Sequence, residues 1–315
     1  MRVSFFCCRS RIALFSTLIA LSVGVSQGAS TDVSAGVGAS VYQNVSANAG
    51  NRPEKQATER SLTDSVDQPS VVIIIDDVGD NFALGLAAVE LPGPVTFAFL
   101  PHSPFGPRLA KKAFTSGKDV ILHAPMQNTH DRPLGPGALT VDLNRQQFGR
   151  VLAGDLDDVP HVQGLNNHMG SLLTTLEPQM NWVMDEVDQR GLFFIDSRTT
   201  SDSVAWQVAR NRGIPSLRRD VFLDHERTTE FVHQQFMLTL DIAKRYGSAI
   251  AIGHPYPVTV EYLKLALPLL DEQGIRLVTA SALIMEKQER YKLAQLQQPQ
   301  QPQQRHAQAD QAQLR

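Results

Sequence analysis

Several apolar runs in this chain end in residues that can do acid–base or metal chemistry. Val71-Val72-Ile73-Ile74-Ile75 leads into Asp76-Asp77-Val78-Gly79, and Ile121-Leu122 leads into His123. Gly164-Leu165 leads into Asn166-Asn167-His168, Phe194-Ile195 into Asp196-Ser197, and Ile252-Gly253 into His254. Side chains alternate across a strand, so adjacent carboxylates face one centre only where the strand ends and turns. Gly79 permits such a turn. One carboxylate can then bind a metal while the other takes a proton from water. Taken alone, Asp76-Asp77 also fits an acidic helix cap, and each histidine alone fits a hydrogen-bonded core residue.

Together, Asp77, His123 and His168 form a candidate Asp/His/His metal set. Three protein ligands with one open position suit catalytic zinc. The same donors accept manganese, iron or cobalt. Asp76 is the candidate general base and His254 the candidate general acid. Asp196 is expected to orient a histidine or a ligand, or else to cap a helix. Asn167, Ser197 and Asp224 are expected to contact substrate. His102, His130, His161 and His233 are expected to be solvated or structural, and Asp155, Asp157 and Asp158 to form an acidic loop without function. His-Glu-x-x-His, Gly-x-Ser-x-Gly, Walker and Gly-x-Gly-x-x-Gly motifs are absent.

These residues need a scaffold that gathers strand ends. Strand-type runs occur at 71–75, 95–100, 119–122, 162–165, 192–195, 221–223, 249–252 and 276–278. Amphipathic stretches at 107–116, 178–190, 203–212, 229–246 and 258–273 separate many of them. Each stretch is followed by a glycine: Gly117, Gly191, Gly213, Gly247 or Gly274. A glycine there closes a helix in the left-handed conformation. Runs apolar on both faces, alternating with helices, predict a parallel sheet. An open doubly wound sheet gathers chemistry on a few strands at its switch point. Here nearly every strand end is polar, which predicts an α/β fold of the irregular (β/α) barrel type with seven or eight strands.

The chain has 315 residues, 42% apolar and 19% charged, enough to bury a core. A net charge of −3 excludes a basic surface for nucleic acid. Arg2, Arg9 and Arg11 flank or precede an apolar run at 12–25 that ends in small residues. This predicts a signal peptide over 1–29 and a periplasmic or secreted bacterial protein. The run is shorter than the roughly 20 residues of a spanning helix, so no transmembrane span is expected after cleavage. Both cysteines, Cys7 and Cys8, lie before this run and inside the expected signal peptide, which leaves no disulfide framework. A polar linker is expected over 30–69, the folded domain over 70–292, and a disordered Gln-rich tail over 293–315.

The motifs Ile-Ile-Asp76-Asp77-Val-Gly, Leu-His123-Ala-Pro-Met, Leu-Asn-Asn-His168-Met-Gly-Ser, Phe-Phe-Ile-Asp196-Ser-Arg-Thr and Ile-Gly-His254-Pro resemble the divergent polysaccharide deacetylase family. That family is a distant branch of the NodB-type carbohydrate deacetylases, and the resemblance runs over about 70–285. It implies an irregular (β/α) barrel with a divalent metal. It also implies Asp76 as base, Asp77 as metal ligand and His254 as catalytic acid. The usual second histidine four positions after the first is replaced by Gln127 here, and His168 is expected as third ligand.

The expected function is metal-dependent removal of an N- or O-acyl group from a polysaccharide or peptidoglycan-type glycan. Zinc is the first choice of metal. The alternative is a binding module, without turnover, for a glycan or a cell-envelope protein partner. A third reading pairs Asp76 with Asp196 as the carboxylates of a glycoside hydrolase.

Overall fold

The computed structural model describes residues 68–297. The expected signal peptide, almost all of the linker, and the tail from 298 onward lie outside the described residues. Among the described residues, no helix is long and apolar enough to cross a membrane.

The chain alternates strand and helix. In order these are β1 (Ser70–Val78), α1 (Phe82–Val89), β2 (Thr96–Phe99), α2 (Gly106–Thr115), β3 (Asp119–Met126), α3 (Arg145–Asp158), β4 (Gly164–Met169) and α4 (Glu177–Gln189). There follow β5 (Phe193–Asp196), α5 (Ala205–Asn211), β6 (Ser216–Arg218), β7 (Val221–Phe222), α6 (Thr229–Tyr246), β8 (Ser248–Gly253), α7 (Pro257–Ala266), β9 (Arg276–Leu277) and α8 (Ala280–Gln297). All strand pairs are parallel, in the order β6-β5-β4-β3-β2-β1-β8-β7, with β9 beside β1. The result is a curled sheet wrapped by helices, the irregular (β/α) barrel expected.

Among the described residues the strands number nine, because the stretch 216–222 does two jobs. Its first part pairs with β5 and its last part with β8, with only Arg219 and Asp220 between. One piece of chain therefore completes both edges of the curl. The C-terminal helix runs to Gln297, past the expected domain end.

Three helices carry no clear sequence signal. α1 is built largely from small and aliphatic residues around Gly85, and α3 contains Gly149 and Gly154. Both start at asparagine caps: Leu84 N–H donates to Asn81 Oδ1, and Asn144 forms a reciprocal box with Gln147. α8 extends well past the last strand-type run. The stretch predicted as one helix at 258–273 splits into α7 and two short 3₁₀ turns.

Period-two alternation sorts the strands into two faces. Val71, Ile73 and Ile75 of β1 pack outward with the helix layer, whereas Val72 and Ile74 join the interior with Ala98, Ile121, Ile195 and Ile252. α8 plugs the N-terminal end of this interior with Ala280, Leu283 and Ile284. Its first turn is tied down by Asp119, whose carboxylate accepts from the Ser281 N–H and hydroxyl, both at 2.8 Å. A carboxylate at a helix N-terminus is favourable. With that end filled, the opposite end, where the strands terminate, is left as the mouth.

Candidate metal and acid–base site

The inward face of each strand continues to the mouth. On β1 the series Val72, Ile74 ends in Asp76. On β3, Asp119 and Ile121 end in His123. On β4, Gly164 is followed by Asn166 and His168. Asp76, His123 and Asn166 are at most 3% exposed.

Asp77 has the wrong parity and reaches the same centre through a bulge. Pairing with β2 passes from Ile75↔Phe97 to Val78↔Phe99, one extra residue on β1. Asp77 absorbs it with φ 55°, in the left-handed region. The turn is thus begun at Asp77 itself, at a cost on the order of 1 kcal/mol, and continues through Gly79, whose φ of 142° favours glycine. A Cβ at Gly79 would also lie 2.0 Å from Ser103 Oγ. Met169 and Arg198, just past His168 and Ser197, also have positive φ. Strained residues at several strand ends ring the mouth, as is common at functional sites.

Three donor atoms converge. Asp77 Oδ1 lies 3.1 Å from His123 Nε2 and 2.9 Å from His168 Nδ1, and the two imidazole nitrogens are 3.1 Å apart. Asp77 Oδ1 is buried yet makes no directed hydrogen bond. A tetrahedral ion with bonds of about 2.0–2.1 Å has ligand–ligand edges of roughly 3.3 Å, a few tenths above the triangle seen here. Among the described residues, this trio is the one Asp/Glu/His/Cys group close enough to share an ion. The donor set fits a divalent cation.

Surrounding bonds hold these atoms in place. His123 Nδ1 donates to Asn166 Oδ1 at 2.7 Å, leaving Nε2 free as a ligand. Asn166 Nδ2 in turn donates to Asp76 Oδ1 at 2.8 Å. Such outer contacts fix the tautomer and aim of a ligating imidazole. Asn166 escapes the sequence reading, although it shares the period-two face of His168. Gln127 is bound up in the fold: its side chain accepts from the Val141 N–H and its carbonyl from Leu172 and Leu173. His168 stands on β4, and its pairing partner on β3 is Pro125.

Across the cluster, His254 Nε2 is 3.7 Å from Asp77 Oδ2. Its ring stacks with Phe222 and Tyr256 at 5.4 and 5.2 Å between centroids. His254 Nδ1 faces Asp224 Oδ1 at 2.9 Å. Arg219, also unforeseen, donates to the Ser197 and Arg198 carbonyls and lies over Phe222.

The site is electrostatically divided. Burial raises the Asp76 carboxyl, against the pull of His123 and His254. Burial also acts upward on Asp77, but the close imidazoles of His123 and His168 hold it well below the usual carboxylate range. Burial disfavours charge on His123, yet Asp76 and Asp77 carry it up to about 9. The same pull favours a metal cation. On His254 burial is outweighed by the bond to Asp224, so its pKa is raised.

The other expected site residues are placed differently. Asp196 points outward, with the parity of Phe194. Its Oδ1 accepts from Arg198 N–H, and its Oδ2 from the Ser203 hydroxyl and Trp206 N–H, so it caps α5. The carboxylate that orients a histidine is Asp224. Asp224 is 3% exposed and both its oxygens are engaged by His254 and Thr259, which turns it from substrate to support. Asn167 also points away from the cluster, accepting from Ser197 N–H and donating to the Met169 carbonyl. Ser197 has inward parity, and its buried Oγ has no partner.

The acidic loop proves to be the end of α3. Asp155 there is fully buried, with Oδ1 2.9 Å from His102 Nε2. His161 stacks on Phe114, His233 meets the Tyr262 hydroxyl, and His130 the Thr129 hydroxyl.

The chain belongs to the divergent polysaccharide deacetylase family, which it matches over residues 73–284. Its fold is the irregular (β/α) barrel expected. It is 34% identical over 228 residues to uncharacterized protein YibQ of Escherichia coli, covering 72% of this chain and 71% of that one. An uncharacterized Haemophilus influenzae protein is 35% identical over 205 residues, covering 65% and 73%. The crystal structure of uncharacterized protein ATU2773 from Agrobacterium tumefaciens shares the fold, with a TM-score of 0.67 and 22% identity, covering 74% of this chain and 92% of that one.

Proposed function

We propose that this protein is a metal-dependent hydrolase that removes an acyl group, acetyl above all, from an amino or hydroxyl group of an envelope polysaccharide. The observation that carries this reading is the triangle of Asp77 Oδ1, His123 Nε2 and His168 Nδ1, flanked by Asp76 and by His254. A divalent cation there, zinc by first preference, supplies Lewis acidity and lowers the pKa of a water. Family membership supports a polysaccharide substrate.

Asp76 is buried and held by Asn166, and burial raises its pKa, which strengthens the carboxylate as a base. It takes a proton from the water that adds to the acyl carbonyl. His254, whose protonated form Asp224 favours, gives a proton from Nε2 to the departing nitrogen or oxygen. The C–N or C–O bond breaks, releasing the acyl group as a carboxylate and the sugar as amine or alcohol. The basic-then-apolar N-terminus supports a periplasmic location.

The test is acetate release from acetylated glycan oligomers by metal-loaded protein. Asp76→Asn and His254→Ala should each lower it 10²-fold or more. Glycan binding without acetate, by protein carrying no metal, would select the binding module instead. New reducing ends without acetate would select glycoside hydrolysis.

A further inference from the structure

The way 216–222 closes the sheet leaves a split beneath it. β6 pairs only with β5, and β7 meets β8 only from Ala251 onward. The N-terminal ends of β6 and β8 therefore part, and a cavity of about 960 Å³ opens between them, at the upper end of small-molecule site volumes. Its floor reaches the barrel interior at Leu217, Ile250 and Ile284.

The rim has an opposite character. Arg210 and Arg218 both lie over the Trp206 ring, at 4.8 and 4.4 Å from its centroid. Lys287 lines the facing wall on α8. All three cations are exposed, and among the described residues none forms an ion pair. Asp220 is the single acid lining the cavity, and its Oδ2 already accepts from Ile250 N–H. Three cations against the one Asp220 carboxylate, which faces Lys287 electrostatically, leave a net positive rim, and an apolar floor under it excludes a purely polar anion and a neutral oil as best fits.

We propose that this cleft binds a single-chain amphiphilic anion, an alkyl carboxylate in the simplest case. Its chain would lie along Leu217, Ile250 and Ile284, and its head between Arg210, Arg218 and Lys287. No residue lining the cleft belongs to the acid–imidazole cluster. The proposal therefore stands apart from hydrolysis.

The full chain is titrated with dodecanoate below its micelle concentration, by calorimetry and tryptophan fluorescence. One dodecanoate should bind per chain, with a fluorescence change that disappears in Trp206→Phe. Decanoate should bind about tenfold more weakly for its two missing methylenes. Dodecyl maltoside, equally long but uncharged, should bind at least tenfold more weakly, as should dodecanoate to the double variant Arg210→Glu/Arg218→Glu. Lys287→Glu gives the same reading should the double variant fail to fold. Absence of saturable binding overturns the proposal. So does equal affinity for the maltoside, or affinity untouched by the charge reversals.

Discussion

Asp224 grips His254 twice. One carboxylate oxygen faces the imidazole Nδ1 at 2.9 Å, and the other accepts the His254 main-chain N–H at 2.7 Å. The grip needs Gly253, where a Cβ would come within 3.2 Å of Asp224 Oδ2. It holds the ring by orientation and by charge, so that Nε2 faces the cluster. Asp224→Asn should keep the geometry but remove the charge that raises the His254 pKa. The alkaline limb of the acyl-release profile should then move to lower pH. An unmoved limb would show that His254 is not the proton donor.

The converging donors predict one divalent ion per chain in protein purified without chelator. Asp77→Ala and His168→Ala should each lose it, and His254→Ala should retain it. Because the ion binds only the folded chain, chelation should lower the melting temperature, by the equivalent of about 2.7 kcal/mol for a site held at 100 times its Kd. Elemental analysis with matched melting curves decides the matter. Equal metal content in all three variants would remove the assignment.

Asn166 satisfies two buried groups at once, Asp76 Oδ1 and His123 Nδ1. Asn166→Ala should cost about 1–3 kcal/mol for each group left unpaired, read from urea unfolding. It should also weaken metal binding 10–100-fold. Asn167→Ala breaks a bracing contact on the other face and should leave metal affinity within a few-fold of the parent. If the two variants bind metal equally, the outer-contact role of Asn166 is wrong.

Asp155 gives a prediction about pH. It is fully buried beside His102, its Oδ2 has no partner, and a Cβ on Gly137 would lie 2.2 Å from its Oδ1. Burial raises the carboxyl from 3.8 to about 7. The folded value exceeds the unfolded one, so the stabilising contribution is complete below about pH 3.8. It is lost as pH rises through about 7. Asp155→Asn keeps an acceptor for His102 and should lose less stability than the parent between pH 5 and pH 8. Urea midpoints at the two pH values test this, and parallel shifts would refute it.

Asp76, His123, His168 and His254 are legible in the sequence because each closes an apolar run on its inward parity. The barrel is legible for the same reason, since so many runs end in polar groups. What escapes the sequence depends on register or distance. Asp77 reaches the centre through a bulge that no local pattern announces. Asp196 ends β5 and Asp224 follows β7, but Asp196 shares the outward parity of Phe194 whereas Asp224 is opposite in parity to the outward Leu223, and strand pairing brings only Asp224 to an imidazole. Asn166 was within reach of period-two reasoning, two positions before His168. Asp155 and His102 are 53 residues apart, so their union exists only in the folded chain.

β1 is bonded to β8 along Ser70–Ile75 on one side and to β9 and then β2 on the other. Flanked almost throughout, its amides have no local route to solvent. Hydrogen exchange there should require the whole barrel to open, whereas the ends of β6 and β7 exchange through smaller fluctuations. The two carboxylates at its tip thus ride on the slowest-exchanging segment, and their spacing persists as long as the fold does.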